Sequence, residues 1–289
     1  MGHRSKLPLK LEVLERGPNH TRFVVQGVPQ AVANFIRRSI IREVPAMAVE
    51  EGLVIENSSS MADEMLLHRI SLIPFVSDID HYVAPEDCDC GSSLGCEKCV
   101  VRYSLKKEAA EGPVTVYSGD LVPEDPSTKV KPASTKLPIV KLAPGQRLSL
   151  ELYVRVGSGK KHAKWQSGIA TVIHVPNIEV NQQTCTVCGK CTEACARNVL
   201  SVEGDKVVVS RLYQCTLCRE CVEACPVQPP AIRVSPAEDS FVFYIESFGF
   251  LTPEKMFAEA VNVLRTKVAD FMSSLEEAIK ESEALAASS

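Results

Sequence analysis

Two runs of four cysteines with the same spacing are the strongest constraint on how this 289-residue chain can fold. The runs, each of the pattern C-x2-C-x2-C-x3-C, consist of Cys185, Cys188, Cys191 and Cys195, and of Cys215, Cys218, Cys221 and Cys225. Both runs end in Glu-Ala-Cys. An internal repeat of this kind indicates a duplicated structural unit. The fold must therefore bring eight thiols together in small groups.

The spacing within each run favours iron–sulfur clusters. Three thiolates within seven residues can hold three corners of a cubane cluster, while the fourth ligand comes from elsewhere in the fold. A zinc site usually takes two well-separated cysteine pairs around one tetrahedral ion, which three clustered cysteines fit poorly. Disulfides are disfavoured because residues 1–10 are polar and basic, unlike a secretory signal. We therefore expect a reducing, cytoplasmic location and two [4Fe-4S] clusters, with zinc and disulfides as the alternatives.

The runs resemble those of two-cluster ferredoxins, in which the fourth cysteine of each run binds the other cluster. The resemblance implies one cluster on Cys185, Cys188, Cys191 and Cys225, and a second on Cys215, Cys218, Cys221 and Cys195. Pro226 follows the last cysteine of the second run, as the ferredoxin pattern requires. Ala196 replaces that proline in the first run, which is a departure from the pattern.

Four further cysteines lie outside the repeat, namely Cys88, Cys90, Cys96 and Cys99. They form two close pairs bridged by a flexible loop between Gly91 and Gly95. Two such pairs can fold around one Zn²⁺, and the ion would be structural because four protein ligands leave no open position. The alternative is a set of free thiols in a loop without metal.

Composition and motifs narrow the range of functions. The net charge is −4 without a block of like charge, which argues against autonomous nucleic-acid binding. No apolar run approaches the roughly 20 residues that span a membrane. With 45% hydrophobic residues, the chain can build two or three globular domains. Nucleophile-elbow, Walker and dinucleotide-binding motifs are absent, so we expect no catalytic residues.

Hydrophobic periodicity predicts the elements around the cysteine-rich region. Strands are expected at residues 9–14, 21–26, 101–105, 114–117, 148–156 and 241–245, and a mobile loop at residues 122–135. A helix is predicted from Gln30 to Val44, where Pro45 stops it. A second, longer helix is expected to start at Pro253, with Thr252 as its N-cap.

The second predicted helix carries an apolar seam with alternating steps of four and three residues: Phe257, Val261, Leu264, Val268, Phe271 and Leu275. Such a seam either lies on the sheet of its own chain or meets a partner helix. The periodicity alone leaves both possibilities open.

Several blocks outside the cysteine runs resemble the assembly subunits of RNA polymerase. The blocks are Asn34 to Arg38, Glu43 to Ala48, Asp63 to Pro74, Gly145 to Glu151 and Gly159 to Gln166. That family includes the bacterial alpha subunit, the third-largest eukaryotic subunit and their archaeal counterpart. The resemblance covers nearly the whole chain. The cysteine repeat is similar to a ferredoxin-like domain inserted in the archaeal form.

The resemblance implies an α+β fold with three parts. A discontinuous dimerisation domain would comprise residues 1–49 and 236–289, an insert domain residues 50–178, and an iron–sulfur domain residues 179–235. Subunit L would bind through the two helices. The interface residues would be Phe35, Ile36, Arg37 and Arg38 on the first helix and the six seam residues on the second. The arginines of the first helix would lie near the surface on which the large subunits are mounted.

The function implied by the resemblance is assembly rather than catalysis. The pair with subunit L would recruit the large polymerase subunits, with the small subunits N and P alongside. The clusters would stabilise their domain and make assembly sensitive to oxidation. The alternative is a ferredoxin-like electron-transfer subunit of an oxidoreductase, although the chain has no flavin or nicotinamide motif that would support it.

Overall fold

A computed structural model describes residues 8–287, and its mixture of helices and strands agrees with an α+β fold. Residues 1–7 and 288–289, which the predicted dimerisation domain includes, lie outside the described residues. The helices are α1 (Gln30–Arg42), α2 (Asp63–Ser71), α3 (Lys190–Glu193), α4 (Glu220–Glu223) and α5 (Pro253–Ala287). The strands are β1 (Lys10–Arg16), β2 (His20–Gln26), β3 (Pro45–Asn57), β4 (Phe75–Val76), β5 (Val100–Glu108), β6 (Val114–Tyr117), β7 (Val122–Pro123), β8 (Lys131–Pro132), β9 (Pro138–Leu142), β10 (Arg147–Ser158), β11 (Gly168–Val180), β12 (Leu200–Glu203), β13 (Lys206–Val209) and β14 (Ile232–Ser247).

The chain divides into two compact units. The first contains the described residues up to Arg16, together with Thr21–Asn34 and Thr171–Tyr244. Its main sheet has the strand order β1-β2-β14-β11, and the hairpin β12-β13 lies in the cysteine-rich region. In the main sheet, the rings of Phe23 and Phe243 stack with their centroids 5.3 Å apart. Buried valines of three strands complete a small core there, as expected for one face of a half-buried sheet.

The second unit contains Gly17–His20, Phe35–Ala170 and the chain from Ile245 onward. Its larger sheet has the order β7-β5-β10-β3-β4-β8, and β6 pairs with β9. The central strand β10 is antiparallel to both β3 and β5. Alternate residues of a strand share one face, and on β10 these are Leu148, Leu150, Leu152 and Val154, all nearly inaccessible to solvent. This alternation builds the largest described core.

The structure corrects two predictions in the second unit. The first helix ends at Arg42 rather than Val44, and Pro45 is the first residue of the 13-residue strand β3. The expected mobile loop at residues 122–135 is wrong. It contains β7 and β8, which pair with β5 and β4, and Val130 is fully buried. The Tyr103 hydroxyl donates a hydrogen bond to the Val130 carbonyl, which ties this segment to the core.

Helix α5 begins as predicted. The Thr252 hydroxyl oxygen accepts a hydrogen bond from the backbone N–H of Lys255 at 3.3 Å, and Pro253 occupies the first helical position. With 35 residues the helix is about 50 Å long, at 1.5 Å per residue. It is the longest element in the described part of the chain.

The contact between Gly157 and Trp165 provides a test of the packing in the second unit. A Cβ atom at Gly157 would lie 2.5 Å from the Trp165 ring, which is buried and held by a hydrogen bond from Nε1 to the Arg155 carbonyl. We therefore expect Gly157→Ala to lower the free energy of unfolding by about 2 kcal/mol. Gly112→Ala is the control because nothing lies within 4 Å of that position. Equal chemical-denaturation midpoints for the two variants would contradict this packing.

Candidate functional site

One cavity in the first unit gathers three cysteines of the first run and the last cysteine of the second. Its lining includes Cys185, Cys188, Cys191 and Cys225, and most of the other lining residues are apolar, among them Val180. These are the four cysteines that the ferredoxin resemblance assigns to one cluster. The fold thus brings together residues that lie up to forty positions apart in the sequence.

A second cavity, of about 220 Å³, gathers the complementary set. It is lined by Cys195, Cys215, Cys218 and Cys221, and its lining also includes Arg197 and Arg219. Each cavity therefore contains three cysteines of one run and the final cysteine of the other run. All twelve cysteines of the chain are free thiols, so no disulfide competes with this grouping.

The electrostatics of the thiols follow the same grouping. Burial raises the pKa of Cys191, and the neighbouring sulfurs of Cys185, Cys188 and Cys225 raise it further. Burial likewise raises the pKa of Cys221 to about 11, with an additional contribution from the second cavity's cysteines. Crowded, buried thiols of this kind keep their protons unless a metal neutralises the thiolates. The donor set fits a cationic cluster core.

The two cysteine loops share an unusual backbone conformation. Val187 and Gly189 in the first loop have φ values of 52° and 76°, and Leu217 and Arg219 in the second have 60° and 68°. Each pair lies at equivalent positions of the repeat. In the second loop, the backbone N–H of Leu217 donates to Cys215 Sγ at 3.4 Å. In the second loop the turn thus aims a backbone N–H at a cysteine sulfur, which favours the thiolate.

The cysteines are also part of the hydrophobic core of this region. Cys215 and Cys221 are 8% exposed and pack with Val199, Leu200 and Val207. Other cysteines of both runs border the same cluster of side chains. The thiols are therefore part of the packed interior of the cysteine-rich region.

The four remaining cysteines, in the second unit, converge on one point. The Sγ atoms of Cys88 and Cys96 are 3.7 Å apart, those of Cys90 and Cys99 are 3.9 Å apart, and all four lie within 4.8 Å of one another. With Zn–S bonds of about 2.3 Å, the edge of a tetrahedral thiolate site is about 3.8 Å. The spacing of the sulfurs fits a single tetrahedral ion.

Hydrogen bonding makes one thiol of this group more acidic than a free cysteine. The backbone N–H of Lys98 and the thiols of Cys88 and Cys99 lower the pKa of Cys96 to about 7 by hydrogen bonding to its sulfur. Thiolates, not thiols, bind metal. The sequence did not reveal a nearby set of charged residues that contacts this loop, because its members, Glu50, Glu86, Arg155 and Lys161, are far apart in the chain.

The distal part of α5 presents an apolar stripe to solvent. Among the predicted seam residues, Val268, Phe271 and Leu275 are 53%, 66% and 42% exposed. Phe257, Val261 and Leu264 are only partly exposed, nearer the start of the helix. Met272 and Ile279 extend the stripe and were not predicted, since neither falls on the seam positions.

Helix α1 contacts α5 at the base of this stripe. Lys267 Nζ of α5 is 2.9 Å from Glu43 Oε1 and 5.8 Å from the centre of the Phe35 ring. Phe35 and Arg37 are partly exposed and Arg38 is exposed, whereas Ile36 is only 6% exposed. Ile36 therefore packs within the chain, and its predicted place in an interface lacks accessible surface.

Comparisons with known proteins match the chain to two domain families and to relatives that cover most of its length. The RNA polymerase Rpb3/RpoA insert domain matches residues 53–178, and the 4Fe-4S dicluster domain matches residues 177–226. DNA-directed RNA polymerase subunit Rpo3 of Methanosarcina acetivorans is 36% identical over 94% of this chain and 100% of its own length. The subunits of the same name from Archaeoglobus fulgidus and Methanothermobacter thermautotrophicus are 38% and 40% identical over 93% and 90% of this chain, and over 98% and 96% of their own lengths.

The dicluster-domain match, together with the grouped cysteines, indicates that the chain binds iron–sulfur clusters or other metal. Within residues 8–287, no helix is both long and apolar enough to cross a membrane.

Substitutions at equivalent positions of the two cysteine loops should change the stability of the protein in opposite directions. Gly189→Ala should destabilise the protein by about 1 kcal/mol, because left-handed backbone is unfavourable for residues with a Cβ. Arg219→Gly should stabilise it by about 0.5 kcal/mol, since relief of strain exceeds the added unfolded-state entropy. Thermal unfolding of metal-loaded protein measures both changes. A lower melting temperature for Arg219→Gly than for the wild type would contradict the strain argument.

Proposed function

This chain belongs to the Rpo3 family of DNA-directed RNA polymerase assembly subunits, and we propose that it pairs with the small subunit L to form a platform for the large subunits. An electron-transfer role in an oxidoreductase is not favoured, because the matches over nearly the whole chain are to polymerase subunits. We propose that the chain is located in the cytoplasm as part of the polymerase.

The exposed stripe of α5 is the observation that carries the pairing proposal. Isolated helices are marginally stable in water, and a helix whose apolar residues face solvent needs a partner surface. Phe271 is the most exposed large apolar residue of the stripe. Aromatic anchors of this kind contribute much of the binding free energy in protein interfaces. A helix of subunit L is the occupant that the family relationship supports.

The surface of α1 supports the recruitment of further subunits. Arg38 is exposed on this helix, and Arg37 is partly exposed. Guanidinium groups form bidentate hydrogen bonds with carboxylates, which suits recognition of acidic segments. We assign this basic surface to contacts with the large subunits, with the small subunits N and P nearby.

A single charge introduced in the stripe tests the pairing. We expect Phe271→Asp to weaken binding of subunit L by about 30-fold or more, since it removes an aromatic anchor and places a carboxylate in an apolar interface. Ala269→Asp is the matched control, because this exposed residue lies two positions away on another face of α5. Titration of each variant with purified subunit L measures the affinity. Equal affinities for both variants would contradict the assignment of this surface.

We further propose that the cysteine-rich region holds two [4Fe-4S] clusters in a crossed arrangement. The grouping of thiols around the two cavities and the electrostatic coupling within each group support this arrangement. The region has few other interior residues, so cluster binding would supply much of its folding free energy. Oxidative loss of a cluster would then loosen the region and limit polymerase assembly.

Double substitutions distinguish crossed from uncrossed ligation. In a crossed arrangement, Cys188→Ser with Cys225→Ser affects one cluster and leaves about four of eight irons. Cys188→Ser with Cys195→Ser affects both clusters and leaves little iron. Uncrossed ligation reverses the two results. Iron and sulfide analysis of anaerobically purified protein, with electron paramagnetic resonance, gives the answer, and assembly of the same variants with and without oxygen tests the redox sensitivity.

The four-cysteine loop of the second unit is proposed to hold one structural Zn²⁺ through Cys88, Cys90, Cys96 and Cys99. The tetrahedral spacing of the sulfurs supports this assignment. Because four protein thiolates complete the coordination, the ion would fix the loop and would not activate water.

A further inference from the structure

A buried arginine of β10 contacts the four-cysteine loop. The side chain of Arg155 is only 7% exposed, and Arg155 Nη2 donates a hydrogen bond to the Ser93 carbonyl at 2.8 Å. Ser93 lies between the two cysteine pairs, three residues after Cys90 and three before Cys96. The contact therefore holds the middle of the loop, between the two cysteine pairs.

A network of charges connects this contact to the residues just before the first cysteine of the loop. Arg155 Nη1 is 3.3 Å from Glu51 Oε1 and 3.5 Å from Glu50 Oε2. The Lys161 Nζ atom bridges Glu50 at 2.9 Å and Glu86 at 3.2 Å. Glu86 precedes Cys88 by two residues. Lys161 and Arg155 thus hold the loop at two points, one before the first cysteine and one between the pairs.

From this geometry we infer that Arg155 is a positioning residue for the four-cysteine metal site, an inference that rests on the proposed binding of Zn²⁺ there. Its guanidinium fixes the loop backbone so that the two pairs face one another. Residues that orient metal ligands without touching the metal commonly change metal affinity tenfold to a hundredfold. The site would take a divalent cation that binds thiolates with tetrahedral coordination.

Because Arg155 is buried, the ordering of the loop and the burial of the guanidinium depend on each other. A buried guanidinium is unfavourable unless its N–H groups are hydrogen-bonded, and the Ser93 carbonyl supplies one of the acceptors. Nε of Arg155 has no hydrogen-bond partner among the described residues. Loss of the Ser93 contact would therefore leave the arginine with still fewer acceptors. Metal binding and the burial of Arg155 should consequently favour each other.

Lysine cannot replace arginine at this position without loss. A guanidinium reaches the Ser93 carbonyl and the carboxylates at the same time through its planar fork, whereas an ammonium is a single point charge. Arg155→Lys keeps the charge and nearly the volume, so it should fold as the wild type does while holding the loop less well.

The experiment compares zinc release from the full-length protein and its variants. We expect Arg155→Met to lose zinc to a chelator at least about tenfold faster than the wild type, and Arg155→Lys to fall between them. Arg147→Met is the matched control, because Arg147 lies on the same strand and pairs with Glu108 at the surface. Its zinc release should stay within about twofold of the wild-type rate.

A spectroscopic readout separates positioning from general destabilisation. Co²⁺ in a four-thiolate site gives intense sulfur-to-metal charge-transfer bands. Arg155→Lys should require about tenfold more Co²⁺ for half-saturation and should reach the same final spectrum. Its metal-free melting temperature should match that of Arg147→Met. Wild-type protein without stoichiometric zinc would overturn the proposed metal site itself. Wild-type zinc affinity in both Arg155 variants would overturn only the role of Arg155.

Discussion

The cysteine-rich region depends on one constraint, namely that thiols occupy positions where a larger domain would place apolar side chains. Cys215 and Cys221 are buried among valines and leucines, and burial raises the pKa of both. A protonated thiol packs there as a small apolar group. A metal-bound thiolate is neutralised by the cluster and also cross-links the loops. The same positions can thus serve as core in either state, and clusters bound in the proposed crossed arrangement would in addition bond the two halves of the repeat to each other.

The elements that local sequence determines were predictable. Thr252 and Pro253 mark the start of α5 through capping chemistry, and the alternation of leucines on β10 marks a strand with one buried face. In both cases, residues close in sequence determine the outcome. The grouping of the cysteines into two crossed sets followed instead from the resemblance to two-cluster ferredoxins, because the spacing within each run does not show where the fourth ligand comes from.

The features that the sequence did not reveal depend on contacts between distant residues. Residues 122–135 look like a loop because they contain prolines and serines, yet Tyr103 and strands β4 and β5 hold them in place. Arg155, Glu50 and Lys161 come from separate segments, and no periodicity connects them. Ile36 satisfied the helical pattern, but the pattern alone could not show whether its own chain or another one covers it.

Helix α5 has a further consequence for the stoichiometry of the complex. From Arg265 to Glu283 every residue is exposed in the single chain, which is about 28 Å of helix. Contacts of Lys267 with Glu43 and Phe35 hold the start of this segment, while its far end has no such support among the described side chains. In the proposed pair the partner covers these apolar residues, whereas a copy without it displays them. Chaperones and proteases that bind exposed apolar segments could therefore distinguish orphan subunits from assembled ones, which would keep the amounts of the two partners in balance.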